Sequence, residues 1–202
     1  MKVELVLPLF LLVLLACKSA PDAEDYYNKA MSKWDEKDLK GAMKDLNTSI
    51  SMNPDYTEAL LNRGILKHQM KDSIGAVQDC EKAIAIDPKM TNAYIRLGYF
   101  RELANDNPGA LKAYTRLINA LPDLSTGYYH RSHIEDVLND NKAAIKDLDK
   151  AIELSPKVAG LYMERGYVKL KIYSYNGACA DFQHALELGD KSAKQAIADY
   201  CK

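Results

Sequence analysis

His130 and His133 stand three residues apart, a spacing that lets two imidazoles share one side of a helix and hold a metal ion. No third or fourth ligand accompanies them, because His68 and His184 fall elsewhere in the chain. A metal-dependent enzyme or enzyme accessory using His130 and His133 is therefore the lesser reading, and a solvated or partner-contacting role the greater. The sequence contains no P-loop, G-x-S-x-G elbow or H-E-x-x-H helix, and no acid pair that stands out from helix-surface charge. No residue is expected to be catalytic, and no cofactor or metal is expected. The 27 basic and 28 acidic residues are interspersed, so no basic stripe advertises a nucleic-acid partner.

Charge is arranged in another way. Four basic residues are each followed, after the same interval, by an aspartate: Lys29 and Asp45, Arg63 and Asp79, Arg131 and Asp147, Arg165 and Asp181. Where the base is replaced by Leu97, the acid is replaced too, by Ala113. That co-occurrence predicts ion pairs that each join two neighbouring helices, contributing up to about 1 kcal/mol apiece where partly exposed.

The elements that must position these residues repeat. Pro54, Pro88, Pro122 and Pro156 stand 34 residues apart, and units of that length tile residues 23–56, 57–90, 91–124, 125–158 and 159–192. Position 8 of the unit is always small (Ala30, Gly64, Gly98, Ser132, Gly166), and position 20 is alanine five times, from Ala42 to Ala178. Position 24 is bulkier, with Leu46, Cys80, Tyr114, Leu148 and Phe182. Small residues let two helices approach closely while larger ones fill the space beside them. Apolar spacing places the helices at roughly positions 2–14 and 17–30, with turns at Lys37-Asp38, Lys71-Asp72, Asn105-Asp106, Asn139-Asp140 and Tyr173-Ser174.

This pattern resembles the tetratricopeptide repeat, a helix-turn-helix unit of 34 residues. The resemblance implies an all-α fold: a right-handed superhelical solenoid of five hairpins, closed by a capping helix over residues 193–202. The first unit departs from the family pattern at Lys29 and Ala30, and the last has Asp190 in the proline slot. Arrays of this kind present their first helices along a concave groove. Positions 5 and 9 would line it, here Tyr27 and Met31, Leu61 and Ile65, Ile95 and Tyr99, Tyr129 and His133, Met163 and Tyr167. Nine of these ten are apolar or aromatic, which suits an apolar or aromatic segment of a partner protein or peptide rather than a bare carboxylate. The alternative is that several of them fill the inner curve. The implied function is a non-catalytic scaffold or adaptor, with self-association as a further possibility and the oligomeric state left open.

Residues 1–16 read as a signal peptide: Lys2 is followed by an apolar run from Leu5 to Leu15. That run would span roughly 16 Å as a helix, about half a bilayer core. Its Leu14-Leu15-Ala16-Cys17 ending resembles the lipobox of bacterial lipoproteins, which implies lipidation at Cys17, a tether over residues 17–22 and an outer-membrane site. Cleavage and release to the periplasm or the exterior is the alternative. In such an oxidising compartment Cys179, on the last repeat helix, and Cys201, in the cap, could form a disulfide or stay free. Cys80 takes a core slot and is expected to pack as a small hydrophobe.

Overall fold

The computed structural model describes residues 20–201, all of whose regular structure is helical. The leader, Cys17 and the first tether residues lie outside the described residues. Ten helices pair as five hairpins: α1 (Ala23–Asp35) with α2 (Leu39–Met52), α3 (Thr57–Gln69) with α4 (Ser73–Ile86), and α5 (Thr91–Leu103) with α6 (Asn107–Ala120). They continue as α7 (Ser125–Val137) with α8 (Asn141–Leu154) and α9 (Ala159–Lys171) with α10 (Tyr175–Glu187), before the cap α11 (Ala193–Tyr200). Each helix packs on its neighbours in sequence, and α3 also meets α5, so the hairpins stack as a solenoid.

One turn chemistry makes all five hairpins. Lys37, Lys71, Asn105, Asn139 and Tyr173 adopt positive φ, between 57° and 67°. The next residue's amide then bonds back into the first helix, as Asp38 does to the Lys33 carbonyl at 2.8 Å. In four turns that next residue is an aspartate whose carboxylate accepts an amide of the second helix: Asp38 from Gly41, Asp72 from Gly75, Asp106 from Gly109 and Asp140 from Ala143. Ser174 makes no such cap in the fifth.

In four of the five hairpins a small residue of the first helix stands opposite a large one of the second; in the second hairpin, Gly64 stands opposite only Cys80. A Cβ on Gly98 would overlap the Tyr114 ring, and one on Gly166 would overlap the Phe182 ring. Where the small partner is Ala30 or Ser132, the opposing core residue is only leucine, Leu46 or Leu148. The buried layer is therefore a run of complementary pairs, and the Cys80 thiol lies within it, its pKa pushed up to about 12 by burial.

Candidate functional site: the charge staples and the concave face

The arginine at position 7 of three hairpins forms a forked pair with the buried acid of its own hairpin. Arg63 reaches Asp79 at 2.8 and 2.7 Å, Arg131 reaches Asp147 at 2.6 and 2.8 Å, and Arg165 reaches Asp181 at 3.0 and 2.5 Å. The remaining guanidinium nitrogen turns to the preceding hairpin: Arg63 to Asn47 at 3.0 Å, Arg131 to Thr115 at 3.4 Å, Arg165 to Asp149 at 2.6 Å. Each arginine thus holds three helices, within its hairpin and across the stack. Only the planar fork of arginine can do this from one position.

Lys29 does not pair with Asp45. Its ammonium lies over the Tyr26 ring at 4.6 Å, and Lys33, one turn later on the same helix face, takes the aspartate at 2.6 Å. A lysine is a single point charge, so one base reaches Asp45 where a fork and a lysine share the acid elsewhere. Lys67 and Lys169, at the position of Lys33, join Arg63 and Arg165 on Asp79 and Asp181, each at 2.8 Å. The fourth hairpin has Glu135 there instead. One of its carboxylate oxygens is buried without a partner, and burial, then the charge of Asp147, push its pKa up to about 7.

The ten residues assigned to the groove separate into three groups. Leu61 and Met163 are only 7% exposed and belong to the buried core, because the hairpins close over these positions. Neither lines either of the two hollows that flank Tyr129. Tyr27, Met31, Ile65 and Ile95 are half-buried against the same core, and the Tyr27 hydroxyl accepts a bond from Asn62 of the next hairpin at 2.8 Å. Tyr99 and Tyr167 stand 43% and 42% exposed, His133 is exposed, and Tyr129 is half-buried.

Tyr129 divides two hollows. One, of about 260 Å³ between α5 and α7, is lined by Ile95, Arg96, Tyr99, Glu102, Tyr114, Tyr129, His130 and His133. The other, of about 320 Å³ between α7 and α9, is lined by Ser125, Thr126, Tyr129, Val158, Gly160, Leu161 and Glu164. His130 and His133 both border the first hollow. His130 stacks on Tyr114 at 5.1 Å between ring centroids, and burial holds its imidazole below the ordinary histidine range. Among the described residues no group of three or more His, Cys, Asp or Glu side chains converges as a metal site. Tyr114 and Glu102, which sequence reasoning did not bring to the site, meet at 2.5 Å from phenol to carboxylate. Tyr114 shares its aromatic character opposite a glycine with Phe182, and the phenol hydroxyl, which reaches Glu102, sets the third hairpin's pair apart.

At the end of the array Cys179 and Cys201 are joined by a disulfide, with Cα atoms 5.6 Å apart.

Repeated hairpins of fixed length, sealed by small-against-large pairs and leaving an open inner face, define a helical-repeat solenoid. The tetratricopeptide repeat model matches residues 23–56, 57–90 and 125–158, half of the 202-residue chain, and the chain belongs to the tetratricopeptide repeat family. A comparison with curated protein sequences finds no match. Among solved structures the chain is similar to MamA from Desulfovibrio magneticus, with TM-score 0.70 and 20% identity over 84% of this chain and 96% of that one. It is similar to a tetratricopeptide repeat protein from Parabacteroides merdae, with TM-score 0.58 and 24% identity over 90% and 72% of the two chains. It also resembles YrrB, described as a TPR protein with an unusual peptide-binding site, with TM-score 0.67 and 14% identity over 88% and 92%. At these identities the likeness speaks to the fold.

Proposed function

We propose that the protein is a non-catalytic scaffold held at a bacterial cell envelope by a lipid on Cys17, binding a segment of a partner protein along the inner faces of α5, α7 and α9. The observation that carries this reading is the pair of hollows on either side of Tyr129, bordered by an exposed Tyr99. Exposed large aromatic side chains around side-chain-sized hollows are the usual make-up of a protein-docking surface. The peptide-binding site in the printed description of YrrB is in keeping with it. Envelope anchoring rests on the Leu14-Leu15-Ala16-Cys17 ending, and a disulfide at the array's end suits an oxidising compartment.

Crosslinking in intact envelopes, followed by identification of what is captured, tests the docking surface. The Tyr99→Ala/Tyr129→Ala variant should lose the captured partner while keeping its helical melting profile; undiminished capture would remove the concave face from the assignment. Palmitate labelling that survives Cys17→Ser would remove the anchor.

A further inference from the structure

We infer that the segment this face takes is a cationic one: an extended peptide that sets a lysine or arginine in the hollow beside Glu102 and the apolar side chain two residues away in the hollow beside Glu164. This rests on the reading of the concave face as a docking surface, and adds the chemistry of what docks there.

The two hollows share a wall, Tyr129, and alternate side chains of an extended chain point the same way, so a chain crossing Tyr129 would place residues i and i+2 in the two hollows. They differ in chemistry. The hollow between α7 and α9 has Val158, Leu161 and the open backbone of Gly160, where an added Cβ would meet nothing within 4 Å. The hollow between α5 and α7 is bordered by three tyrosines and the Glu102 carboxylate. One oxygen of Glu102 is held by the buried Tyr114 hydroxyl, which fixes the carboxylate in place. Tyrosine faces together with an oriented carboxylate recognise an ammonium or guanidinium group.

Charge along this face favours the same occupant. Glu102 and Glu164 take part in no ion pair among the described residues. A third hollow, of about 540 Å³ at the first two hairpins, repeats the composition with Tyr56 beside Asp22, Glu24 and Glu58. Burial, then neighbouring groups that include Glu24 and Glu58, raise the Tyr56 pKa; burial and Glu164 raise that of Tyr129. On the positive side, Arg96 borders the hollow of Glu102, Lys171 is held by Asp136 at 2.6 Å, and the His130 imidazole is kept toward its neutral form. Arg96 offsets Glu102 in the first hollow, whereas the second holds Glu164 and no base, so over the two hollows the acids outnumber the arginine by two to one and a docking cation meets net attraction.

The test is binding of the full chain to an array of random decapeptides, with the best binders remeasured in solution by fluorescence anisotropy at low and high salt. Binders should be enriched in lysine or arginine two residues from an apolar one. Glu164→Gln, whose side chain is exposed, should weaken them roughly two- to fivefold and reduce their salt dependence. Glu102→Gln should do the same where its melting profile is unchanged. Binders without basic residues, or a basic preference untouched by both Glu102→Gln and Glu164→Gln, would overturn the cationic inference and leave the docking face standing. No binding peptide at all would take both down.

Discussion

Glu135 and Asp147 face a single guanidinium: Arg131 Nε lies 2.6 Å from Asp147 Oδ2 and 3.8 Å from Glu135 Oε1. The other three charged hairpins put Lys33, Lys67 or Lys169 where Glu135 stands. The fourth hairpin therefore has two acids for one base, in a place where the Glu135 side chain is only 14% exposed.

Protonation relieves that crowding. The folded-state pKa of Glu135 is raised from 4.5 to about 7, so its stabilising contribution is fully present below about pH 4.5 and is lost as pH rises through about 7. His130 works the other way, since a lowered histidine pKa costs stability as pH falls. The difference between wild type and Glu135→Gln isolates the glutamate. Urea unfolding should show wild-type stability dropping by roughly 1–3 kcal/mol relative to the variant between about pH 5 and 8. Glu135→Lys should recreate the arrangement of Lys67 and Lys169, and raise stability at neutral pH. Parallel pH profiles for wild type and Glu135→Gln would sink the argument.

Arg165 should matter through Asp181 more than through Asp149. Asp181 is buried and Asp149 exposed, so Asp149→Ala should cost less than about 1 kcal/mol. Arg165→Leu leaves Asp181 with Lys169 alone and should cost roughly 2–3 kcal/mol. Hairpin three carries Leu97 and Ala113 at the two equivalent places, so the protein already contains an apolar solution. The double variant Arg165→Leu/Asp181→Ala should then be less damaging than the sum of its parts, as read from a double-mutant cycle in urea. Strict additivity would mean that the fork contributes no coupling.

Much of this architecture was legible in the sequence, for a physical reason. A stacked repeat must present the same small, large and turn-forming residues at the same interval, so Pro54 to Pro156 and Ala42 to Ala178 expose the hairpins directly. The joint absence of base and acid at Leu97 and Ala113 likewise pointed to contacts that the structure contains in three hairpins. Less visible was which turn of α1 delivers its base, because Lys29 and Lys33 share a helix face. The reach of each arginine to the preceding hairpin was also hidden, since Asn47, Thr115 and Asp149 have no common residue type. Exposure along the inner face depends on how tightly hairpins close, which leaves Leu61 and Met163 inside and Tyr99 and Tyr167 outside.

The glycines of position 8 should respond to alanine in proportion to what they face. Alanine brings up to about 1 kcal/mol of helix propensity, so the sign depends on the space available. At Gly64 the nearest atoms to an added Cβ are the Ala76 carbonyl oxygen at 3.1 Å and Asp79 Cβ at 3.3 Å, so the net change should be small. At Gly98 the rigid Tyr114 ring blocks the methyl, and the cost of roughly 1–3 kcal/mol should win. Adding Tyr114→Leu to Gly98→Ala copies the Ala30 and Leu46 pair of the first hairpin and should recover part of the loss. Thermal melts in which Gly64→Ala and Gly98→Ala behave alike would show that ring contact does not decide the choice of glycine.

The bond between Cys179 and Cys201 should protect the end of the array rather than the whole of it. The cap α11 has eight residues, too short to persist alone in water, and is held by Ala193, Ala196 and Ile197 against the last hairpin. A crosslink closing 22 residues of sequence adds about 3 kcal/mol in the chain-entropy picture. In a solenoid each unit contacts only its neighbours, so losing that contribution should loosen α11 and α10 first and leave α3 to α6 almost unchanged. Hydrogen exchange on the Cys179→Ser/Cys201→Ser variant should show faster exchange confined to the last hairpin and cap. Uniform loss of protection along the chain would mean that the array unfolds as one unit, and that its closing bond stabilises every hairpin alike.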